Sequence, residues 1–257
     1  PPVEPLQKTE HRWEPGQGMN SEIDKLKRKV QLILNKLTLD KFESLSGQLM
    51  KIVQDNVTSL QLLVEVVNVV FDKALSEQHF SAMYADLCKK IQEEVPKFEG
   101  SEQKKAATFR KILLNKCQEE FDRVSRDGKS EEEVHEEQRL QKSRMLGNIK
   151  FIGELYKHKM IAEKIMHDCI QHLLKNIDNP LEEDMVSLSG HTTQEAVCNL
   201  LSTIGKKLDH QKASNLMKAY FDRFKSLSSN KSLPSRIRFM CLDLQDLRKN
   251  DWYDCQG

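Results

Sequence analysis

Three helix-start signals within the first 80 residues constrain the fold more than any other feature of this chain. Each is a Ser or Thr that can cap a helix, with an apolar residue directly before it and another four positions after it, a pattern that fixes the chain as it enters a helix. The signals are Thr38 with Leu37 and Phe42, Thr58 with Val57 and Leu62, and Ser76 with Leu75 and Phe80. Because each directly follows another helical stretch, the sequence predicts helical hairpins joined by very short turns.

The remainder of the chain continues the helical pattern. Apolar residues recur at helical spacing in roughly ten segments, and no segment shows the alternation typical of a strand. Only 10 Gly and 7 Pro occur among 257 residues, and the abundant Leu, Lys, Glu and Gln favour helix. Helix pairs of ~40–47 residues are typical of HEAT repeats. The sequence therefore predicts an all-α fold, an α-solenoid of about five antiparallel helix pairs, although weak similarity between the pairs leaves an irregular bundle open.

The first 20 residues differ from the rest. They hold Pro1, Pro2, Pro5 and Pro15 and show no helical period, so we predict an extended arm over residues 1–20 and a helical domain over residues 21–257. The arm contains Trp13, which needs a surface to bury against; the arm either folds back on the domain or serves a partner. Because the first residue is not Met, we expect the chain to be a piece of a longer protein.

Charge is unevenly distributed along a chain whose net charge is +1. Residues 206–249 contain 11 Lys and Arg against 4 Asp and Glu, whereas the remainder is acidic. A basic end can bind RNA or an acidic protein surface, or it can be an ordinary solvated helix face, and the sequence leaves both open. The candidate contact residues within it are Lys206, Lys207, Lys212, Arg236 and Arg238.

Motifs of catalysis and cofactor binding are absent from the sequence. It has neither the GxxxxGK[ST] phosphate loop nor the GxSxG elbow. The stretch "HDCIQH" places His167 and His172 five positions apart, which is not the spacing of metal ligands on a helix. We therefore expect a protein that is not an enzyme and that binds no cofactor and no metal.

The cysteines and the hydropathy indicate a compartment. The six cysteines are scattered and never form CxxC, unlike the disulfide framework of a short secreted chain. No signal peptide opens the chain, and no apolar stretch reaches membrane length. We expect reduced thiols, a cytoplasmic location and no membrane association.

Eight stretches, in order from about Trp13 to Trp252, carry a resemblance to a known family. They are "HRWEPG", "LILNKLT", "FDKALSE", "FRKILLNKCQEEF", "RMLGNIKFIGELYK", "MHDCI", "STIGKKLDH" and "SRIRFMCLDLQDLR". With them the chain resembles the middle domain of the eukaryotic translation initiation factor 4G scaffold. The stretch "VSLSGHTTQEAVCNL" departs from the family pattern and looks like an altered or lengthened connection.

The resemblance implies both a fold and a function. It implies a crescent of five HEAT-type helix pairs that binds and stimulates the DEAD-box RNA helicase initiation factor 4A, contacts mRNA, and belongs to a scaffold that reaches the ribosome through initiation factor 3. The family's helicase-contact positions fall on Trp13, Leu34, Leu37 and Phe42, and the basic residues would contact RNA or the other helicase lobe. Two alternatives remain open: a related scaffold serving cap binding, splicing or mRNA decay, and a general RNA-binding solenoid.

Residues 31–42, "QLILNKLTLDKF", hold more apolar side chains than one helix face can bury. Ile33 and Leu37 continue the core period, while Leu34 lies toward the edge of that face, so we interpret the stretch as part core and part docking surface. Interface energy concentrates in a few such residues. We expect Trp13→Ala and Leu34→Ala each to weaken helicase binding while leaving thermal stability nearly unchanged.

Overall fold

The computed structural model describes residues 20–95, 108–123, 134–178 and 189–253. Within these residues ten α-helices follow one another and no strand occurs. The helices are α1 Asn20–Leu34, α2 Phe42–Asn56, α3 Leu60–Ser76, α4 Ser81–Glu94, α5 Phe109–Arg123, α6 Val134–Lys157, α7 Glu163–Asp178, α8 Ser189–Leu208, α9 Ser214–Ser229 and α10 Ser235–Lys249. Short 3₁₀ turns at Leu39–Lys41, Gln78–Phe80 and Gln211–Ala213 precede α2, α4 and α9.

Consecutive helices pair, and the pairs stack into two layers. One layer contains α2, α4, α6, α8 and α10, each packed against the next, and the other begins with α1, α3 and α5. The second layer continues through α7 and α9. The rings of Phe121 on α5 and His172 on α7 lie 5.3 Å apart, and His167 on α7 hydrogen-bonds to Tyr220 on α9. This stacking confirms the predicted all-α solenoid.

A continuous apolar core runs between the layers. The fully buried rings of Phe71 on α3 and Phe151 on α6 meet edge to face at 6.2 Å, which joins successive pairs. Gly147 on α6 allows a close crossing, since a Cβ atom there would lie 2.7 Å from the carbonyl oxygen of Leu75. The sequence places this glycine in a helix interior, where it lowers helix stability, and the close approach of α6 to α3 explains why it is needed.

The predicted helix starts are correct in number but differ in detail. The backbone of Thr38 is extended, as an N-cap requires, but its side chain makes no capping hydrogen bond. The cap of α3 is Ser59 rather than Thr58: its hydroxyl oxygen accepts a hydrogen bond from the backbone N–H of Leu62 at 3.4 Å. Thr58 and Ser59 each carry a hydroxyl that can cap a helix, so the sequence alone does not choose between them.

The predicted cap at Ser76 is wrong. Ser76 is the last residue of α3, and its hydroxyl donates to the carbonyl oxygen of Lys73 at 3.0 Å. Serine can bond back to the preceding turn as readily as it caps a following helix. The 3₁₀ turn then leads into α4, which begins five residues later at Ser81.

Two other predicted segments lie partly outside the described residues. The arm over residues 1–20, including Trp13, lies outside them except for its last residue. The stretch "VSLSGHTTQEAVCNL" is not simply a connection, because its residues from Ser189 onward form the first turns of α8. Its buried residues Ala196 and Val197 show that this part of the stretch packs as a helix in the core.

Candidate functional site

The turn between α1 and α2 exposes an apolar surface. Leu32 is 59% exposed on the outer face of α1, and Leu39, in the 3₁₀ turn, is 71% exposed. Phe42 at the start of α2 is half-buried, and its ring lies 4.8 Å from the ammonium group of Lys90. Leu39 and Phe42 are three residues apart in helical backbone, so both face the same side of the turn. We name Leu32, Leu39 and Phe42 the turn surface.

Leu34 and Leu37 lie beneath this surface rather than in it. Leu34 is 1% exposed and Leu37 is 6% exposed, so the expectation that Leu34 lies at an edge is wrong. Leu34 follows Val30 by four positions and therefore shares its buried face, across which α3 packs. The two leucines hold the turn in place. Ile33, expected in the core, is only partly buried.

A polar groove of about 810 Å³ opens beside Leu34, between α1, α3, α5 and α6. Its charges are already paired inside the domain: Lys27 with Glu65 at 2.6 Å, and Arg144 with Asp72 at 3.1 Å. Pockets for small molecules are mainly apolar with a few polar groups. The lining therefore does not favour a small-molecule site.

The five candidate basic residues are split between the two ends of the packed helices α8 and α10, which we name the α8–α10 layer. These helices run parallel, because Arg236 at the start of α10 meets Glu195 at 2.7 Å, while Arg248 at its end meets Asp209, the residue after α8, at 2.8 Å. Lys206, near the far end of α8, is therefore ~16 Å from Glu195 along the helix axis. Basic residues that belong to one charged segment of the sequence therefore do not form one patch in the structure.

The two ends also differ in how their charges are used. Arg236 neutralises the buried Glu195, whereas Arg238 donates to the uncharged hydroxyl of Ser235 and keeps its net charge. At the other end Lys207 donates to the carbonyl oxygen of Lys157, whose acceptor is uncharged, so the ammonium keeps its net charge. Lys206 and Lys212 are exposed there.

Beyond α10 the chain folds back onto the end of α8. Asp251 and Trp252 have positive φ values of 52° and 64°, which Asp tolerates but a residue as bulky as Trp rarely adopts. The indole N–H of Trp252 donates to a carboxylate oxygen of Asp209 at 3.1 Å, and its ring meets Phe221 edge to face at 5.9 Å. Tyr253 follows, 65% exposed, with its ring centre 4.0 Å from the ammonium group of Lys206.

We name Lys206, Lys207, Lys212 and Tyr253, held by Trp252, the C-terminal corner. Gly205 is essential to it, since a Cβ atom there would lie 2.1 Å from the Trp252 ring. Sequence reasoning missed this corner. The signals for it in the sequence are the adjacent aromatics Trp252 and Tyr253 after α10 and the glycine before Lys206.

Comparison with known proteins now identifies the fold family. The MIF4G domain matches residues 27–251, from α1 to the turn after α10. The chain belongs to the MIF4G domain family. Eukaryotic translation initiation factor 4G of Arabidopsis thaliana is 43% identical over 266 residues, which cover 98% of this chain and 14% of the relative.

Two further relatives of this MIF4G domain agree. Eukaryotic translation initiation factor 4G of Triticum aestivum is 43% identical and is matched over 17% of its length. Eukaryotic translation initiation factor 4 gamma 2 of Homo sapiens is 40% identical over 89% of this chain and 26% of the relative. The chain thus spans about a quarter or less of these proteins. The predicted resemblance to the initiation factor 4G middle domain is confirmed.

The two histidines of the "HDCIQH" stretch have structural partners in this MIF4G domain. The buried His167 bonds to Tyr220 at 3.1 Å, whereas His172 packs against Phe121. Across the described ranges, no three His, Cys, Asp or Glu side chains form a group that could hold a metal ion.

Among the helices that the structure describes, none has the length and apolar content needed to cross a membrane. The described cysteines are free thiols, namely Cys88, Cys117, Cys169, Cys198 and Cys241.

Proposed function

We propose that this MIF4G domain is the helicase-docking module of a translation initiation scaffold. It binds and stimulates the DEAD-box RNA helicase initiation factor 4A and contacts mRNA, within a larger scaffold that reaches initiation factor 3 and supports ribosome recruitment. The proposal rests on family membership and on one observation, the 71% exposure of Leu39 on a turn anchored by buried leucines.

The turn surface has the composition of a docking site. Leu32 and Leu39 present apolar area without a covering element in the described residues, and interfaces gain most energy from a few such side chains surrounded by polar ones. Lys90 and Glu43 pair at 2.6 Å beside Phe42 and supply that polar rim. Leu34 and Leu37 contribute by positioning the turn, while Trp13 remains a predicted anchor from the arm.

The domain acts on its partner without chemistry of its own. A helicase of this class works by closing two lobes around ATP, so a scaffold that contacts both lobes favours the closed arrangement and raises turnover. In the proposal the turn surface meets one lobe. The basic residues at the ends of the α8–α10 layer meet mRNA or the other lobe.

Binding of purified initiation factor 4A tests the proposal. Leu39→Asp places a charge in the turn surface and should weaken binding, measured by isothermal titration calorimetry, at least about tenfold. Leu140→Asp on α6 is the matched control, since Leu140 is 59% exposed and lies two helix pairs away. Circular dichroism should show the same melting temperature for both variants.

Two outcomes would overturn the assignment. One is that Leu39→Asp binds the helicase as tightly as the wild-type domain does. The other is that Leu140→Asp loses as much affinity as Leu39→Asp. Stimulation of the helicase ATPase, measured with nuclease-treated proteins, separates a direct protein contact from one bridged by RNA. Trp13→Ala should weaken binding in the same assay without changing the melting temperature.

A further inference from the structure

The C-terminal corner combines charge with an exposed, oriented ring. Tyr253 is 65% exposed although its ring lies against Lys206. Lys207 follows Lys206 at the end of α8, and Lys212 stands three positions after the Asp209 that holds Trp252; both are exposed. The corner therefore presents one aromatic ring against Lys206, with two further exposed lysines in the adjoining residues of the chain.

The position of Tyr253 is strongly determined. The N–H of Trp252 donates to the carbonyl oxygen of Leu247 at 2.8 Å, and the Trp252 ring is seated on Gly205. Asp tolerates the positive φ of Asp251, but a positive φ at the bulky Trp252 is unfavourable and persists only where surrounding contacts enforce it, which is typical of functional positions. The strained turn aims the chain so that Tyr253 is held at the surface beside Lys206.

We propose that the C-terminal corner is a stacking site for single-stranded RNA. One base stacks on the ring of Tyr253, and Lys206, Lys207 and Lys212 contact the neighbouring phosphates. This rests on the mRNA contact of the proposed function and adds its location and its selectivity. Proteins that bind single strands combine an aromatic ring with a cationic surface, and the ring accepts any base because every base has a flat face.

The same geometry sets a preference for single strands over duplexes. Bases in a duplex are already stacked and paired, so they do not reach a ring exposed on a protein surface. The lysines alone would attract either form, and an acidic peptide as well. The exposed ring is therefore what favours RNA over an acidic peptide, and an unpaired strand over a paired one.

Fluorescence anisotropy with a labelled oligoadenylate of about 12 nucleotides tests this inference. Tyr253→Ala should weaken binding about tenfold, whereas Tyr253→Phe, which keeps the ring, should bind as the wild-type domain does. Affinity for a hairpin duplex of the same length should be lower and should not change with Tyr253→Ala. Because Tyr253 is exposed, neither variant should alter the melting temperature.

The salt dependence distinguishes the two components. Lys206→Gln should reduce the dependence of log K on log salt by ~0.7, the value for one phosphate contact on a single strand. Tyr253→Ala should leave that slope unchanged, since it removes stacking and not charge. Equal affinity of Tyr253→Ala and wild type for the oligoadenylate would overturn the inference. So would polyglutamate binding that depends on the lysines but matches RNA in strength.

Failure here can be told apart from failure of the proposed function. The Tyr253→Ala domain should still bind initiation factor 4A with wild-type affinity, because it keeps the turn surface, at the opposite end of the stack of helix pairs, and every basic residue of the α8–α10 layer. If Leu39→Asp abolishes helicase binding while Tyr253→Ala leaves RNA binding intact, the docking proposal stands and the stacking site is wrong.

Discussion

At the residue scale, Asp209 connects three elements through one carboxylate. It accepts two hydrogen bonds from the Arg248 guanidinium, at 2.8 and 3.1 Å, and one from the Trp252 indole at 3.1 Å. Partial burial alone would raise the pKa of this carboxyl. The hydrogen bonds from Arg248 and Trp252 outweigh burial and hold the pKa below its ordinary value.

The lowered pKa of Asp209 predicts how stability depends on pH. Because the carboxyl binds a proton more weakly in the folded state, its contribution is present above its unfolded pKa of ~3.9 and is lost as pH falls through the folded pKa. Asp209→Asn should therefore be less stable than wild type at pH 7, and the difference should shrink below about pH 4. Urea unfolding across this range measures it. A difference that stays constant with pH would contradict the prediction.

Leu34 and Leu39 give a second residue-scale prediction, which replaces the expectation that Leu34→Ala leaves stability unchanged. Leu34 is 1% exposed, so Leu34→Ala should remove ~2–5 kcal/mol from the free energy of unfolding through lost burial and a cavity. Leu39 is 71% exposed, so Leu39→Ala should change it by less than ~0.5 kcal/mol. Urea denaturation compares them directly. Similar changes in the free energy of unfolding for the two variants would contradict the burial of Leu34 and the exposure of Leu39.

At the element scale, two helix glycines make a matched pair. Gly47 on α2 is exposed, and a Cβ atom there would meet nothing within 4 Å. Gly47→Ala should therefore stabilise the domain by about 0.4–1 kcal/mol, since alanine favours helix and restricts the unfolded chain. At Gly147 a Cβ atom would press on the backbone oxygen of Leu75, so Gly147→Ala should destabilise the domain despite the same gain in helix propensity.

Thermal melts of both glycine variants decide this. A rise in melting temperature for Gly47→Ala and a fall for Gly147→Ala is the expected result. A rise for both would mean that α6 and α3 can separate by a few tenths of an ångström at no cost.

The helices themselves could be predicted from the sequence because their signal is local. Apolar spacing of three and four residues and Ser or Thr caps predict where helices begin, and the errors at Thr58 and Ser76 are shifts by one or a few positions. The burial of Leu34 could not be predicted with the same certainty. It depends on where α3 crosses α1, which the sequence of α1 alone does not contain.

At the scale of the whole molecule, the proposed surfaces depend on contacts between distant residues. Tyr253 and Lys206 are separated by 47 positions yet touch, because α8 and α10 run parallel and the chain turns back after α10. The parallel register also separates Arg236 from Lys206, although both belong to one basic segment of the sequence. Charge counted along the chain predicted that a basic end exists, but not that it divides into two.

That division gives the last prediction. Arg236 already neutralises the buried Glu195, so it has little charge left for a phosphate, whereas the lysines of the C-terminal corner face solvent. Replacing Lys206, Lys207 and Lys212 together with Gln should reduce the slope of log K against log salt for single-stranded RNA by about 2. Arg236→Gln should leave this slope unchanged and act instead on stability, because it removes the shorter of the two ion pairs that Glu195 makes within the described residues and leaves the one to Lys142 at 3.4 Å. Anisotropy titrations at several salt concentrations measure both slopes. Equal changes at the two ends would mean that one strand contacts the whole α8–α10 layer, and that the stacking corner is only part of the RNA path.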